Sequence, residues 1–216
     1  PQNEFEGLQK EFDNQKNYEG IENIIEDGDS VWSRKKFAKR HFEKMPFTKK
    51  FLTNPKLLNL LNSAESRQLS IPAVWFDTVS YEKRVSGIQN SSEVETFHSD
   101  ISFPSHKVFF LTHDVKSEDG PLTFCPGSNK FSIRRLWLEY KKSNEKNRTE
   151  KDSFYIINKK EESFLKLNIM KGIVPENTLI LMNGNVFHKR GSAITGAKRS
   201  MIFTQFRLNP FSLETK

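Results

Sequence analysis

Apolar residues recur at helical spacing through the first third of the chain. Phe5, Leu8 and Phe12 fall on one face of a helix, and Ala38, Phe42 and Met45 repeat that spacing after a basic stretch. The strongest helix signal starts at Asn54, a good N-cap. Pro55 follows at the first helical position, and Leu57, Leu58, Leu60 and Leu61 supply a buried stripe. Residues 1–70 are therefore predicted to form a mostly helical flank. After Ser70 the texture changes to short β-rich segments separated by turn residues: Ala73–Tyr81, Lys107–Val115, Leu122–Cys125, Asn177–Met182 and Ser200–Leu208. Gly120-Pro121 and Pro126-Gly127 bracket one of these segments, and Asn183-Gly184 is a strong turn signal just before His188. Many short strands with such punctuation predict a mainly β fold with flanking α-helices, built on a barrel or double-sheet jelly roll over residues 71–210. One polar insertion, Leu138–Glu162, interrupts that core. Its Lys141–Arg148 stretch is too polar to pack, and it reads as a surface connection or charged helix, with a lid over a substrate mouth as the functional alternative. No internal repeat is visible, and a single domain is expected.

Composition narrows the class of protein. A chain of 216 residues is long enough to bury a real core, and its nineteen Phe residues argue against disorder. No apolar run approaches the roughly 18 residues of a membrane span, and Pro1–Lys16 is too polar for the apolar core of a signal peptide. Cys125 is the single cysteine, which excludes an internal disulfide and fits a reducing, cytoplasmic setting. The net charge of +7 invites a nucleic-acid reading. However, the Lys and Arg residues are spread along the chain and interleaved with acids, as in Glu139–Glu162, and no nucleic-acid module accompanies them. Nucleic acid is not expected as a partner. Oligomeric state is not legible.

Four residues carry the candidate chemistry. His98 and Asp100 are separated by one position, so on a strand their side chains share a face and can clamp one ion. His188 supplies a third ligand. Two imidazoles and one carboxylate on one face of an octahedron leave three positions open, the arrangement by which non-haem Fe(II) oxygenases bind a cosubstrate and dioxygen. A His-x-Asp pattern alone occurs by chance on surfaces; His188 and Arg199 following in order strengthen the metal reading. Arg199 offers a rigid fork for bidentate carboxylate recognition. Gly191 and Gly196 allow the chain between His188 and Arg199 to reverse, so that antiparallel strands could bring both to one cavity. Other histidines read differently. His106 follows Pro104 and Ser105 in an expected turn and is taken as exposed or substrate-facing. His113 reads as a hydrogen-bonded structural residue, and His41 as solvent-facing.

These residues and their surroundings, from about Trp75 to Phe206, resemble the phytanoyl-CoA dioxygenase-like family of Fe(II)/2-oxoglutarate oxygenases. The resemblance rests on Phe97-His98-Ser99-Asp100, on Gly120 to Lys130 with its Pro126-Gly127-Ser128 turn, and on Leu179 to Arg199. Arg follows the distal His by eleven residues in the family, as Arg199 follows His188 here. Asn129 replaces the family's usual His. Arg190 stands where the family often has a Ser that helps hold the cosubstrate carboxylate. The resemblance implies a double-stranded β-helix, with Fe(II) held by His98, Asp100 and His188. It also implies 2-oxoglutarate as cosubstrate, anchored by Arg199. Phe109 aligns with an aromatic position lining the family's cosubstrate pocket, and Ser99 and Arg190 are further candidates for cosubstrate contact. The implied activity is hydroxylation of an unactivated C–H bond of a small molecule by dioxygen, because Asp100 fills the coordination place that related halogenases free for chloride. Arg134 and Arg135, just after the Pro-Gly-Ser turn, could meet an anionic substrate at the pocket mouth or could simply solvate a surface segment. A cupin-like metal protein with a non-oxygenase activity and a non-catalytic binding protein remain alternative readings, since jelly rolls host many functions.

Overall fold

The structure is a computed structural model and describes residues 2–27, 30–65, 73–81, 96–100, 105–144 and 155–207. Part of the polar insertion, residues 145–154, lies outside these, as do residues 66–70 and Leu208. Two antiparallel sheets form the core. The larger has six strands in the order β1 (Ile21–Asp27), β2 (Ser30–Phe37), β3 (Val74–Tyr81), β11 (Lys198–Arg207), β5 (Ser105–Leu111) and β9 (Thr178–Asn183). The smaller has five, in the order β7 (Tyr155–Ile156), β4 (His98–Ser99), β10 (His188–Arg190), β6 (Leu122–Phe124) and β8 (Met170–Lys171). This is the predicted double-stranded β-helix.

Side-chain alternation on the large sheet separates a helix-facing layer from an inner one. The helix-facing layer is aromatic. Phe37, Phe76, Phe110 and Ile202 pack against Phe5, Leu8 and Phe12 of α1 (Gln2–Asp13), Phe42 of a 3-10 turn (Lys39–Lys44), and Leu52 of α2 (Pro46–Leu52). Helix α3 (Pro55–Glu65) is capped as the sequence predicts: Lys56 N donates to Asn54 Oδ1 at 2.9 Å. Its buried stripe is narrower than expected. Leu57 and Leu61 pack on Val108 and Phe206, whereas Leu60 is 51 % exposed. Behind the small sheet, Leu138 of α4 (Ile133–Ser143) joins Phe97, Cys125, Ile157 and Phe187, and α5 (Lys159–Leu165) contributes Leu165. Burial pushes the Cys125 thiol up to about 12, so it stays protonated at neutral pH.

One difference from the sequence reading falls in the first third, where β1 and β2 form a hairpin inside the predicted helical flank. Ile21, Ile24 and Ile25 do not alternate, and β1 is a largely exposed edge, so the period-two signal is missing. The helical layer is held by a buried charge. Glu11 is 5 % exposed and accepts from Phe47 N (2.9 Å), Thr48 N (2.8 Å) and Thr48 Oγ1 (2.7 Å), satisfying the first turn of α2 from a different helix. Glu11→Ala is expected to lower stability by about 1.5–3 kcal/mol, because donors to a buried carboxylate are left unmet. Urea unfolding of the two proteins would measure the loss.

Candidate metal centre

The inner faces of the two sheets meet around His98, Asp100 and His188. His188 on β10 pairs directly with His98 on β4, and their rings lie 4.5 Å apart, centroid to centroid. Asp100 follows β4 and is fixed by its own N–H, which donates to Gly184 O at 3.1 Å. Gly184 follows Asn183 in this turn, and its missing side chain leaves the space that Ser105 Oγ occupies. One ligand atom from each of the three residues lies within 4.8 Å of the others, and all three are buried. They form the one cluster of this kind among the described residues.

Hydrogen bonds fix which atoms face the centre. His98 Nδ1 meets Thr96 O at 2.9 Å and His188 Nδ1 meets Val186 O at 2.8 Å, so each ring donates from Nδ1 and presents the Nε2 lone pair. Asp100 Oδ1 lies 3.5 Å from His188 Nε2 and 3.9 Å from His98 Nε2, and this buried oxygen has no hydrogen-bond partner. Two imidazole nitrogens that present lone pairs and an orphaned carboxylate oxygen are what a divalent metal needs. Burial pushes both histidines below their ordinary range, and the Lys107 ammonium adds to the effect. Because the unfolded chain takes up protons near pH 6.5 and the folded one only at lower pH, metal-free protein should lose stability as pH falls from about 6.5 through the lowered folded values. Thermal unfolding across that pH range checks the sign.

Arg199 sits on β11 between β3 and β5, 7 % exposed, and its Nη1 donates to Gly120 O. Gly120 has φ +65°, and a Cβ on it would overlap the Tyr81 hydroxyl, so this carbonyl can be presented only by glycine. Arg199 Nε is buried without a hydrogen-bond partner. Burial lowers its pKa from the usual guanidinium value, opposed by Tyr81, Asp77 and Asp119. Asp77 is itself taken up by Arg34, through two bonds of 2.9 Å. Arg190 shares the inner face of β10 with His188; its Nη1 donates to Ser30 Oγ and its guanidinium lies 4.7 Å from the Trp32 ring centre. Phe109 is on the inner face of β5, its ring tilted against that of Phe203 with centroids 5.1 Å apart.

Other sequence candidates are dispersed. Ser99 is buried but alternates away from its two neighbours in the ligand set. Arg134 is exposed at the start of α4, whereas Arg135 is turned inward. Arg135 donates to Ser128 O and, at 3.0 Å, to Asn185 O, pairs with Glu139 at 2.7 Å, and covers the Phe187 ring at 4.8 Å. It therefore ties the Pro-Gly-Ser turn to the segment leading into His188. His106 is on β5 rather than in a turn and is buried on the face opposite Lys107. His113 meets Thr112 Oγ1 at 3.1 Å but its side chain is 48 % exposed, and His41 Nδ1 accepts from Ala38 N at 2.8 Å. The sequence reading missed Lys107, whose ammonium lies 2.6 Å from Asp100 Oδ2. At a strand start a lysine reads as a solvated end; its two-residue offset from Phe109 is the signal that places it on the inner face.

A surface cleft of about 450 Å³ opens on the helix side, lined by Asp13, Glu22, Lys35, His113 and Lys198. It is apart from the metal cluster, and several of its charges are already paired, as Lys35 is with Glu22 at 2.9 Å.

A buried His–Asp–His set between the sheets of a double-stranded β-helix fits the two-imidazole, one-carboxylate pattern of a divalent-metal site. Comparison with protein-family models and with curated proteins gives no match. Solved structures do match. The epimerase SnoN, in complex with Fe3+, alpha ketoglutarate and nogalamycin RO, aligns with 94 % of this chain and 74 % of its own, at 13 % identity and a TM-score of 0.61. EctD from S. alaskensis with bound Fe aligns over 95 % of this chain and 68 % of its own, at 14 % identity and a TM-score of 0.59. HygX from Streptomyces hygroscopicus, with nickel and 2-oxoglutarate bound, covers 95 % of this chain and 80 % of its own, at 13 % identity and a TM-score of 0.54. At such identities the likeness is one of fold. No helix among the described residues is long and apolar enough to cross a membrane.

Proposed function

We propose that this chain is a non-haem Fe(II)- and 2-oxoglutarate-dependent dioxygenase that hydroxylates an unactivated C–H bond of a small-molecule substrate. The observation that carries the proposal is the convergence of His98 Nε2, Asp100 Oδ1 and His188 Nε2, with Oδ1 buried and unpartnered. These three atoms would hold the iron. Bound there, Fe(II) and 2-oxoglutarate together activate dioxygen, with loss of carbon dioxide and formation of succinate, and so supply the oxidant. The chain's own part is positioning and the exclusion of water.

Arg199 takes the distal carboxylate of 2-oxoglutarate on its unused Nε edge, while Gly120 O keeps the guanidinium plane in place. Arg190 adds a second positive charge to the same chamber in place of a hydroxyl. Phe109, with Phe203 beside it, is assigned to the dry wall of the cosubstrate pocket. Asp100 keeps its coordination place, which favours hydroxylation over halide transfer. Since Arg135 is committed to the turn, charge-based capture of an anionic substrate is assigned to Arg134.

The test is succinate formation from 2-oxoglutarate by Fe(II)-loaded protein in air. Slow succinate release without a primary substrate, accelerated by a true substrate and absent in Asp100→Ala, is expected. Equal succinate from the native and Asp100→Ala proteins would sink the proposal.

A further inference from the structure

Lys107 projects from β5 into the space between the sheets, and its side chain is 13 % exposed. The ammonium lies 2.6 Å from Asp100 Oδ2 and 3.0 Å from His188 Nε2. Because His188 Nδ1 is engaged by Val186 O, Nε2 carries the lone pair, and the ammonium is the donor to it. Lys107 thus contacts the nitrogen that a metal would take and the carboxylate oxygen that a metal would leave. Asp100 Oδ1, directed at both histidines, is untouched by it.

We propose that Lys107 is the resident cation of the metal centre. It holds Asp100 by the outer oxygen, yields His188 Nε2 to an incoming divalent metal, and then presents its N–H groups to an anionic ligand on an open face of that metal. The inference rests on the metal-centre reading above. A carboxylate held through one oxygen coordinates through the other alone, which keeps three positions free for a chelating cosubstrate and dioxygen. Lys107 also places a fixed positive charge beside the ion. The same field that disfavours the dication favours an anion bound to it, so the lysine loosens the metal and tightens the anion. A lysine that merely supported Asp100 would do the reverse for the metal, since loss of such an outer partner weakens metal binding by about 10–100-fold.

The opposite signs make the inference testable without turnover. Co(II) affinity would be measured by competition with a chromophoric chelator, and azide affinity by visible titration of the Co(II)-loaded protein. Both would be followed in native protein and in Lys107→Met, with His188→Ala as the ligand-deficient control. Lys107→Gln, which keeps a hydrogen-bond donor without the charge, makes the same test if the methionine variant does not fold. The neutral variants are expected to bind Co(II) at least about tenfold more tightly than native protein and azide at least about tenfold more weakly. Co(II) binding that is unchanged or weaker overturns the inference and leaves Lys107 as a support for Asp100. Unchanged azide affinity overturns it as well. Native protein that binds Co(II) no better than His188→Ala does would overturn the metal centre itself, which is a separate result.

Discussion

Arg199→Ala is expected to leave metal binding nearly intact and to weaken 2-oxoglutarate by about 3–5 kcal/mol, because a carboxylate would be buried without its counter-charge. The guanidinium it removes is 7 % exposed and makes an internal bond to Gly120 O, with Nε left for a ligand. Lysine at 199 should restore only part of the affinity, because an ammonium cannot bond Gly120 O and a carboxylate through one rigid plane. Calorimetric titration of 2-oxoglutarate into metal-loaded, oxygen-free protein measures the effect. If the alanine variant keeps native affinity, the anchor is another cation, and Arg190, on the strand that carries His188, is the next to test.

Loss of a ligand should have the larger effect. Asp100→Ala removes the one carboxylate oxygen aimed at the centre and leaves the Lys107 ammonium beside two imidazoles with no anion to offset it. Outer-shell partners alone are worth about 10–100-fold in metal affinity, so deletion of Asp100 should exceed that range. Binding of Mn(II), followed by its paramagnetic resonance signal, should fall below detection at concentrations that saturate the native protein. His188→Ala should behave in the same way. Retained Mn(II) binding in both variants would mean that the ion sits elsewhere.

The ligand set was legible because it depends on strand alternation and order in the chain. His98 and Asp100 needed only an extended backbone to share a face, and the Asn183-Gly184 turn marked the approach to His188. Helix α3 was legible for a similar reason, since Asn54 and Pro55 state its start locally. Four strands of the small sheet that carries the histidines were not. β4, β7, β8 and β10 are two or three residues long, too short to show a period, and the pairing of His98 with His188 joins positions far apart in the chain. The β1–β2 hairpin escaped because an exposed edge need not alternate. Lys107 and Arg135 escaped because both types are usually solvated. Lys107 is turned inward by the pleat of β5, and Arg135 by carbonyls of Ser128 and Asn185 that only the folded chain brings together.

The most direct measurement of the central claim is the visible spectrum of the protein titrated with Fe(II) and 2-oxoglutarate in the absence of oxygen. A weak charge-transfer band should appear only when both are present, saturate at equimolar iron, and be missing from His188→Ala. Folded native protein that gives no such band, or gives the same band as His188→Ala, would contradict the assignment of His98, Asp100 and His188 as the iron centre.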